Sequence, residues 1–291
     1  MHLILLAMLA LHEPALIHTA DVARQASRPV VRPTANGILR DESVRSAALG
    51  REMKYRVLLP SGYDTSPKRY PVLYLLHGLA GNYTDWSMRT NLAEYSRAVP
   101  LIIVMPDGEN SWYTNTLDGA SKFEDYVTID LPADVVRKYR TINSRYGRSI
   151  AGLSMGGYGA LKLALKRPAQ FAVVGAFSGA FSITQDLDSK LTAPDAAQVR
   201  TVFGAADSQG RKDNDVFLLA GAMKPAGAPY IYVDCGTADG LLQTNREVAQ
   251  ALHKAGLAYE YHEVAGAHTW DYWDRRIREF LPLLMRKLAN N

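Results

Sequence analysis

The sequence contains a single cysteine, Cys235, among its 291 residues. One thiol cannot form a disulfide within the chain or supply a cysteine-based metal site, so we expect Cys235 to be a buried packing residue. The seven histidines show none of the spacings of a metal site, such as His-x-x-x-His. The sequence therefore indicates no bound metal ion.

Long charge runs, internal repeats and low-complexity tracts are also missing from the sequence. The formal net charge is +4, but Lys and Arg are scattered and form no basic stripe with interleaved aromatic residues, so nucleic acid is not an expected partner. The composition, 47% hydrophobic and 21% charged, is typical of a globular protein. One α/β domain can reach this length.

The N-terminal region has an apolar run at residues 3–11 that is too short to span a membrane. Its length suits a signal peptide, and Ala20 or Ala26 could end a cleavage site, but no Lys or Arg precedes it. We interpret residues 1–36 as an N-terminal extension, with a possible signal peptide and a linker. A signal peptide would make the protein secreted or periplasmic, and without one it would be cytoplasmic.

Strand-like and helix-like segments alternate after Gly37. Short apolar runs bounded by Gly or Pro are typical of strands buried on both faces of a parallel sheet, and helical patterns lie between them. The alternation predicts an α/β fold with a mostly parallel central sheet and helices on both faces, in a domain over residues 37–291. The predicted strands are residues 53–59, 71–77, 101–105, 149–153, 171–177, 230–234 and 259–264, and the predicted helices are residues 88–98, 123–140, 158–167, 245–255 and 274–288.

The interval 182–226 interrupts this alternation, because it is rich in Asp, Lys, Gln and Gly and contains no clear strand. We expect it to form a small cap-like insertion that covers the functional site. The alternative is a peripheral helical excursion with no role in binding.

The most informative motif is Gly-Leu-Ser-Met-Gly-Gly at residues 152–157, which follows a predicted strand and precedes a predicted helix. This is the strand–turn–helix context of a Gly-x-Ser-x-Gly nucleophile elbow, which exposes a serine hydroxyl on a strained turn. We expect that a side chain at position 152 or 156 would collide with the neighbouring strand or helix. Ser154 is the predicted nucleophile.

A serine nucleophile needs a histidine base and a carboxylate that orients this base. Asp239 and His268 each follow a predicted strand, so both are expected at the same sheet edge as Ser154. The three residues come in the order Ser, Asp, His that α/β-hydrolases use. We therefore predict that they act together.

Both partners of the serine have alternatives. Asp239 could instead cap the following helix, and Asp234 is a second candidate acid nearer the body of its strand. His253 and His262 are candidate bases, but they lie within a predicted helix and a predicted strand. We favour Asp239 and His268 because both lie just beyond the end of a strand.

The oxyanion that forms during acyl transfer needs preorganised N–H donors. One predicted donor is the amide of Met155, which directly follows the nucleophile. The other is the amide of Leu79, in the sequence His-Gly-Leu-Ala-Gly at residues 77–81. Aromatic residues in loops at the same edge are predicted to line an acyl or aryl pocket; they are Trp86, Trp112, Tyr113 and Trp270.

Seven segments, in this order, resemble the putative esterase family, often called the esterase D family. Its members include S-formylglutathione hydrolases, feruloyl and acetyl-xylan esterases, short-chain esterases and mycolyltransferases. The resemblance spans about residues 37–288, and the bacterial short-chain and feruloyl-type esterases look most similar. The segments are Leu-Leu-Pro-Ser-Gly-Tyr-Asp (58–64), Leu-Leu-His-Gly-Leu (75–79), Met-Pro-Asp-Gly (105–108), Ser-Trp-Tyr-Thr-Asn (111–115), Gly-Leu-Ser-Met-Gly-Gly (152–157), Asp-Cys-Gly-Thr-Ala-Asp (234–239) and Gly-Ala-His-Thr-Trp (266–270).

The resemblance implies an α/β-hydrolase fold, a triad of Ser154, Asp239 and His268, and an oxyanion hole formed by Leu79 and Met155. We predict a serine carboxylesterase that hydrolyses a small-molecule ester through an acyl-enzyme and needs no metal or organic cofactor. An acyltransferase that moves the acyl group to a sugar or alcohol would use the same residues. A non-catalytic binding protein is a further, less favoured alternative.

Overall fold

The structure is a computed structural model that describes residues 38–185 and 191–289. Their strands form one eight-stranded sheet, and the predicted N-terminal extension with its possible signal peptide lies outside the described residues. In chain order the strands are β1 (Ile38–Ser46), β2 (Arg51–Leu59), β3 (Val72–Leu76), β4 (Ile102–Pro106), β5 (Arg148–Leu153), β6 (Val173–Phe177), β7 (Tyr230–Gly236) and β8 (Tyr259–Val264).

The sheet is mostly parallel, with the strand order β1-β2-β4-β3-β5-β6-β7-β8. Only β2 runs antiparallel to its neighbours, β1 and β4, and the remaining pairs of this sheet are parallel. The seven predicted strands are confirmed, each within two residues of its predicted ends. The sequence analysis missed β1, because a partly exposed edge strand is rich in charged residues and lacks a buried apolar run.

The helices broadly follow the prediction, but the predicted helix 88–98 is divided. There the Asn91 amide donates to Asp274 (2.6 Å) instead of to a carbonyl one turn earlier, so a tertiary contact interrupts the helix. The predicted helix 123–140 contains a π-helical turn, Tyr126–Asp130. The helices of the described residues are α1 (Asp85–Arg89), α2 (Leu92–Tyr95), α3 (Phe123–Asp125), α4 (Leu131–Lys138), α5 (Met155–Lys166), α6 (Ala193–Phe203), α7 (Gln209–Asp213), α8 (Val216–Ala222), α9 (Leu242–Lys254) and α10 (Trp270–Ala289), with 3-10 turns at Tyr63–Thr65, Ser96–Ala98, Arg145–Gly147 and Phe181–Thr184.

Two apolar layers cover the two faces of the sheet. Residues of α4, α5 and α9 pack on one face, and residues of α1, α2 and α10 pack on the other. The strands between them, β3 to β6, are buried almost throughout. Cys235, at the end of β7, is fully buried, as expected for a packing residue. The predicted α/β architecture with helices on both faces is confirmed.

The described part of the interval 182–226 is helical, with α6, α7 and α8, and it packs against α5. The ring of Tyr158 on α5 lies 6.1 Å from that of Phe203, and the Tyr158 hydroxyl donates to the Asn214 carbonyl (2.8 Å). Residues 186–190 lie outside the described residues. The cap-like role of this interval, like the domain boundaries, stays a prediction.

A buried ion pair joins the last helix to the sheet. Asp234 on β7 is fully buried and accepts hydrogen bonds from the Arg276 Nε (2.9 Å) and the Tyr272 hydroxyl (2.9 Å) of α10. Burial raises the pKa of Asp234, and the Arg276 guanidinium opposes this shift. The carboxylate therefore depends on this arginine to remain charged inside the protein.

Replacing this arginine should destabilise the fold. Arg276→Met leaves the buried Asp234 carboxylate without its cation, so we expect the free energy of unfolding to fall by about 3–5 kcal/mol. Arg278→Met, at an exposed position of the same helix, should change it by less than about 0.5 kcal/mol. Urea denaturation of both variants measures the difference, and equal stabilities would show that the pair does not anchor α10.

Candidate active site

Ser154 lies in the sharp turn between β5 and α5. Its backbone has φ 54° and ψ −117°, a left-handed φ that residues other than glycine rarely adopt. Its amide donates to the Phe177 carbonyl (2.9 Å), which attaches the turn to β6. Because α5 begins at Met155, the free N–H groups of the first helical turn lie directly beside the serine.

Two glycines allow the backbones around this turn to approach closely. A Cβ at Gly152 would lie 2.5 Å from the backbone of Gly156, and a Cβ at Gly156 would lie 2.5 Å from the His77 carbonyl oxygen. Real Cβ atoms do not come this close to backbone atoms. The expected collisions at positions 152 and 156 are confirmed, and they involve the helix and the adjacent strand β3.

The structure brings Ser154, His268 and Asp239 into one chain of hydrogen bonds. The Ser154 Oγ lies 3.0 Å from the His268 Nε2, and the His268 Nδ1 lies 2.9 Å from the Asp239 Oδ2. Asp239 follows β7 and His268 follows β8, at the same edge of the sheet as the serine. With Nδ1 protonated towards the carboxylate, Nε2 is free to accept the proton of the serine hydroxyl.

The environment of Asp239 keeps its carboxylate ionised. Burial acts to raise the pKa of Asp239, but the hydrogen bond from His268 and the bond from the Leu241 amide (2.8 Å) outweigh burial, so the pKa lies below its usual value. The Asp239 side chain is completely buried and that of His268 is 16% exposed. The carboxylate is therefore shielded from water, whereas the imidazole remains accessible.

The alternative acid and bases have other surroundings. Asp234 is held by α10, as described above. His262 is exposed on β8 and lies 3.3 Å from Glu260, and His253 is exposed near the end of α9. Within residues 38–185 and 191–289, none of the three forms a hydrogen bond with Ser154.

The amides of Leu79 and Met155, the predicted oxyanion donors, have no hydrogen-bond partner in the described residues. We call residues 77–81 the glycine-rich loop. The His77 ring holds this loop, because its Nε2 accepts the Gly108 N–H (2.8 Å) and its Nδ1 lies 2.7 Å from the Gly78 oxygen. Two N–H groups thus remain available for a ligand near the serine.

A groove of about 120 Å³ opens at the serine. Polar and apolar side chains line it together, and they come from the loop after β3, the end of β5 with the following turn, α1 and the first turn of α10. The residues that line it are 78–81, Asp85, Arg89, Leu153, Ser154, Trp270 and Trp273.

Of the four predicted pocket aromatics, Trp270 lines the groove and the other three do not. Trp86 is 1% exposed and donates its indole N–H to a β3 carbonyl (2.9 Å). Tyr113 is fully buried and donates its hydroxyl to the His77 carbonyl (2.9 Å). Trp112 is 5% exposed and packs its ring against Tyr158. These three side chains turn into the protein, where they hold loops in place.

The groove residues that were not predicted as binding residues include three with charged or aromatic side chains, Asp85, Arg89 and Trp273. Burial raises the pKa of Asp85, and Arg89 opposes this shift at a distance of 3.5 Å. The Arg89 guanidinium also lies 5.6 Å from the centre of the Trp270 ring. Asp85 and Arg89 lie four positions apart, soon after the glycine-rich loop, and this spacing could have indicated a binding role. Such acidic and basic pairs are, however, common on any solvated helix.

In residues 38–185 and 191–289, no three His, Cys, Asp or Glu side chains are grouped so that they could hold a metal ion. In the same part of the chain, no helix is both long and apolar enough to cross a lipid bilayer.

The sheet and the helices on its two faces form an α/β-hydrolase fold. The structure is similar to that of a ferulic acid esterase, with a TM-score of 0.74, 28% sequence identity and coverage of 87% of this chain and 99% of that chain. The chain belongs to the putative esterase family, which matches residues 46–284. The family resemblance predicted from the motifs is confirmed.

Curated relatives carry both hydrolase and transferase names. An acetyl esterase of Caldicellulosiruptor saccharolyticus is 33% identical over 220 residues, which cover 74% of this chain and 83% of that protein. A diacylglycerol acyltransferase/mycolyltransferase, Ag85B of Mycobacterium leprae, is 28% identical and covers 84% of this chain and 83% of its own length.

A methyl group at position 156 should disrupt the site. In Gly156→Ala the new Cβ would overlap the His77 and Leu76 carbonyl oxygens, so we expect the free energy of unfolding to fall by about 1–3 kcal/mol and ester hydrolysis to be largely lost. Gly221→Ala is a matched control, because a Cβ at Gly221 on α8 meets nothing within 4 Å. It should leave activity unchanged and increase stability by up to about 1 kcal/mol. Full activity of the first variant would contradict the steric argument.

Proposed function

We propose that the protein is a serine carboxylesterase in which Ser154 is the nucleophile, His268 the general base and Asp239 the orienting acid. The observation that carries this proposal is the chain of hydrogen bonds between them, with distances of 3.0 and 2.9 Å. The strained turn at the serine, the unpaired amides beside it and membership of an esterase family support it.

The geometry fits acylation and deacylation through one set of residues. Ser154 attacks the ester carbonyl as His268 accepts its proton at Nε2, while ionised Asp239 stabilises the imidazolium. The amides of Leu79 and Met155 donate to the tetrahedral oxyanion. His268 then gives the proton to the leaving alcohol, and the resulting acyl-enzyme on Ser154 is hydrolysed by water that the same imidazole activates.

The size of the groove favours a small acyl group. Its volume is about 120 Å³, and Trp270 and Trp273 bound it on the side of α10. A relative named as an acetyl esterase supports this substrate class. A feruloyl ester is the alternative, supported by the similarity to a ferulic acid esterase.

Acyl transfer is the second candidate function, and the relative named as a mycolyltransferase favours it. A sugar or alcohol in the groove would replace water in the second step, with the same catalytic residues. The non-catalytic alternative has no support, because the family is one of esterases and the three predicted side chains are in contact.

Removing the base should abolish catalysis without affecting the fold. His268→Gln leaves Ser154 without a proton acceptor, so hydrolysis of p-nitrophenyl acetate should fall by at least about 1,000-fold. His262→Gln is the matched control, because His262 is exposed and forms no contact with the serine; its kcat should equal that of the wild type.

A covalent probe tests the nucleophile in the same preparation. A fluorophosphonate should label the wild type and His262→Gln but not Ser154→Ala, which should unfold at the urea concentration of the wild type. Labelling of Ser154→Ala, or no turnover by the wild type, would refute the proposed mechanism.

The length of the acyl chain should decide the rate. Across p-nitrophenyl esters, kcat/KM should be highest from acetate to butyrate and fall at least about 10-fold by octanoate, because a small pocket excludes extra methylenes. Methyl ferulate, measured alongside, should be a poorer substrate than the acetate. A preference for ferulate would instead favour the feruloyl class. Acyl-sugar or acyl-glycerol as the main product when such an acceptor is added would favour transfer.

A further inference from the structure

A loop behind the groove holds two consecutive residues in an unusual backbone conformation. We call residues 108–114 the Trp112 loop. Trp112 and Tyr113 have φ values of 54° and 51°, in the left-handed region that disfavours residues other than glycine. Surrounding contacts must hold such a backbone in place.

Tyr113 connects the Trp112 loop to the glycine-rich loop. Its hydroxyl donates to the His77 carbonyl oxygen (2.9 Å), and its ring occupies the space beside Gly108 and Gly159, where a Cβ would lie 2.2 and 2.6 Å from it. The His77 carbonyl belongs to the peptide unit directly before the one that carries the Leu79 N–H. Tyr113 therefore helps to fix the peptide next to this amide.

Lys162 on α5 supplies the hydrogen bonds that hold both left-handed residues. Its Nζ donates to the Tyr113 carbonyl oxygen (2.6 Å) and to the Thr114 Oγ1 (2.7 Å). The Thr114 hydroxyl in turn donates to the Trp112 carbonyl oxygen (2.8 Å). The Lys162 Nζ thus supports both left-handed residues, Tyr113 directly and Trp112 through Thr114.

The side chain of Lys162 is completely buried. Burial lowers the pKa of Lys162 to about 7, against the opposing effect of Glu124. Glu124 lies 3.3 Å from the Lys162 Nζ and also pairs with Lys166 (2.9 Å) and Arg167 (3.5 Å). An apolar side chain could fill the same space without the loss of hydration that a buried charge suffers. Besides its pairing with Glu124, the lysine contributes its hydrogen bonds to the Trp112 loop.

We propose that Lys162 is a positioning residue for ester hydrolysis, which holds the Trp112 loop so that Tyr113 fixes the peptide next to the Leu79 amide. The inference rests on the proposed function, in which this amide donates to the oxyanion. An oxyanion donor acts only if it is in place before the charge develops. Loss of the hydrogen bonds from Lys162 to the Trp112 loop should therefore lower kcat with little change in KM.

A matched pair of variants on one helix tests this role. Lys162→Met should lower kcat for p-nitrophenyl acetate about 10- to 100-fold, with KM within about 3-fold of the wild-type value. Lys166→Met removes another cation from the same Glu124, one turn further along α5, but Lys166 donates to neither Tyr113 nor Thr114. Its kcat should stay within about 2-fold of the wild type.

Tyr113→Phe tests the contact between the Trp112 loop and the glycine-rich loop in the same assay, because it removes only the hydroxyl that donates to the His77 carbonyl oxygen. We expect kcat to fall about 3- to 10-fold, and the double variant to be no slower than Lys162→Met alone, since residues in one network are not additive. If Lys162→Met does not fold, Tyr113→Phe decides alone, and a wild-type kcat for it overturns the proposal.

Equal kcat values for Lys162→Met and Lys166→Met would also overturn the positioning role. The role would also be overturned if the variants raised KM and left kcat unchanged. It would be overturned as well if the fold reduction in kcat of the double variant equalled the product of the reductions in the two single variants. These outcomes require a wild-type enzyme that hydrolyses the ester. Its complete failure to do so would overturn the proposed function, and this inference with it.

Discussion

The close contact between the first turn of α5 and the end of β3 is the constraint on which the site depends. At Gly156 the helix backbone lies against the carbonyl groups of Leu76 and His77, with no room for a side chain. Because these backbones touch, the strained turn at Ser154 and the glycine-rich loop are fixed relative to each other. The amides of Leu79 and Met155 therefore belong to segments that are far apart in the chain but meet at Ser154.

Two aspartates near the end of β7 show how surroundings give one residue type two different roles. Asp234 is buried against Arg276, and burial raises its pKa. Asp239 lies just past the strand, where the His268 ring and a backbone amide lower its pKa despite burial. The first carboxylate attaches α10 to the sheet, and α10 begins two residues after His268. The structural ion pair thus holds the helix next to the proposed base.

The sequence predicted the elements of the fold and the meeting of Ser154, Asp239 and His268 at one sheet edge better than it predicted the walls of the groove. Apolar runs mark β3 to β6 because buried parallel strands need them, whereas β1 lies at an edge and carries charges instead. Tyr113 follows a strand at the correct edge, but its hydroxyl binds the His77 carbonyl inside the protein. Arg89 lines the groove, yet its spacing from Asp85 resembles that of any surface ion pair.

The sequence by itself determined the chain order of seven of the eight strands and the strand–turn–helix context of Ser154. These features depend on residues that are neighbours in the chain, whose periodicity and steric requirements are local. Only the tertiary structure decided that Trp270 faces the groove and that Lys162 supports the Trp112 loop. Both outcomes depend on contacts between segments far apart in the sequence, and local residue patterns carry no record of such contacts.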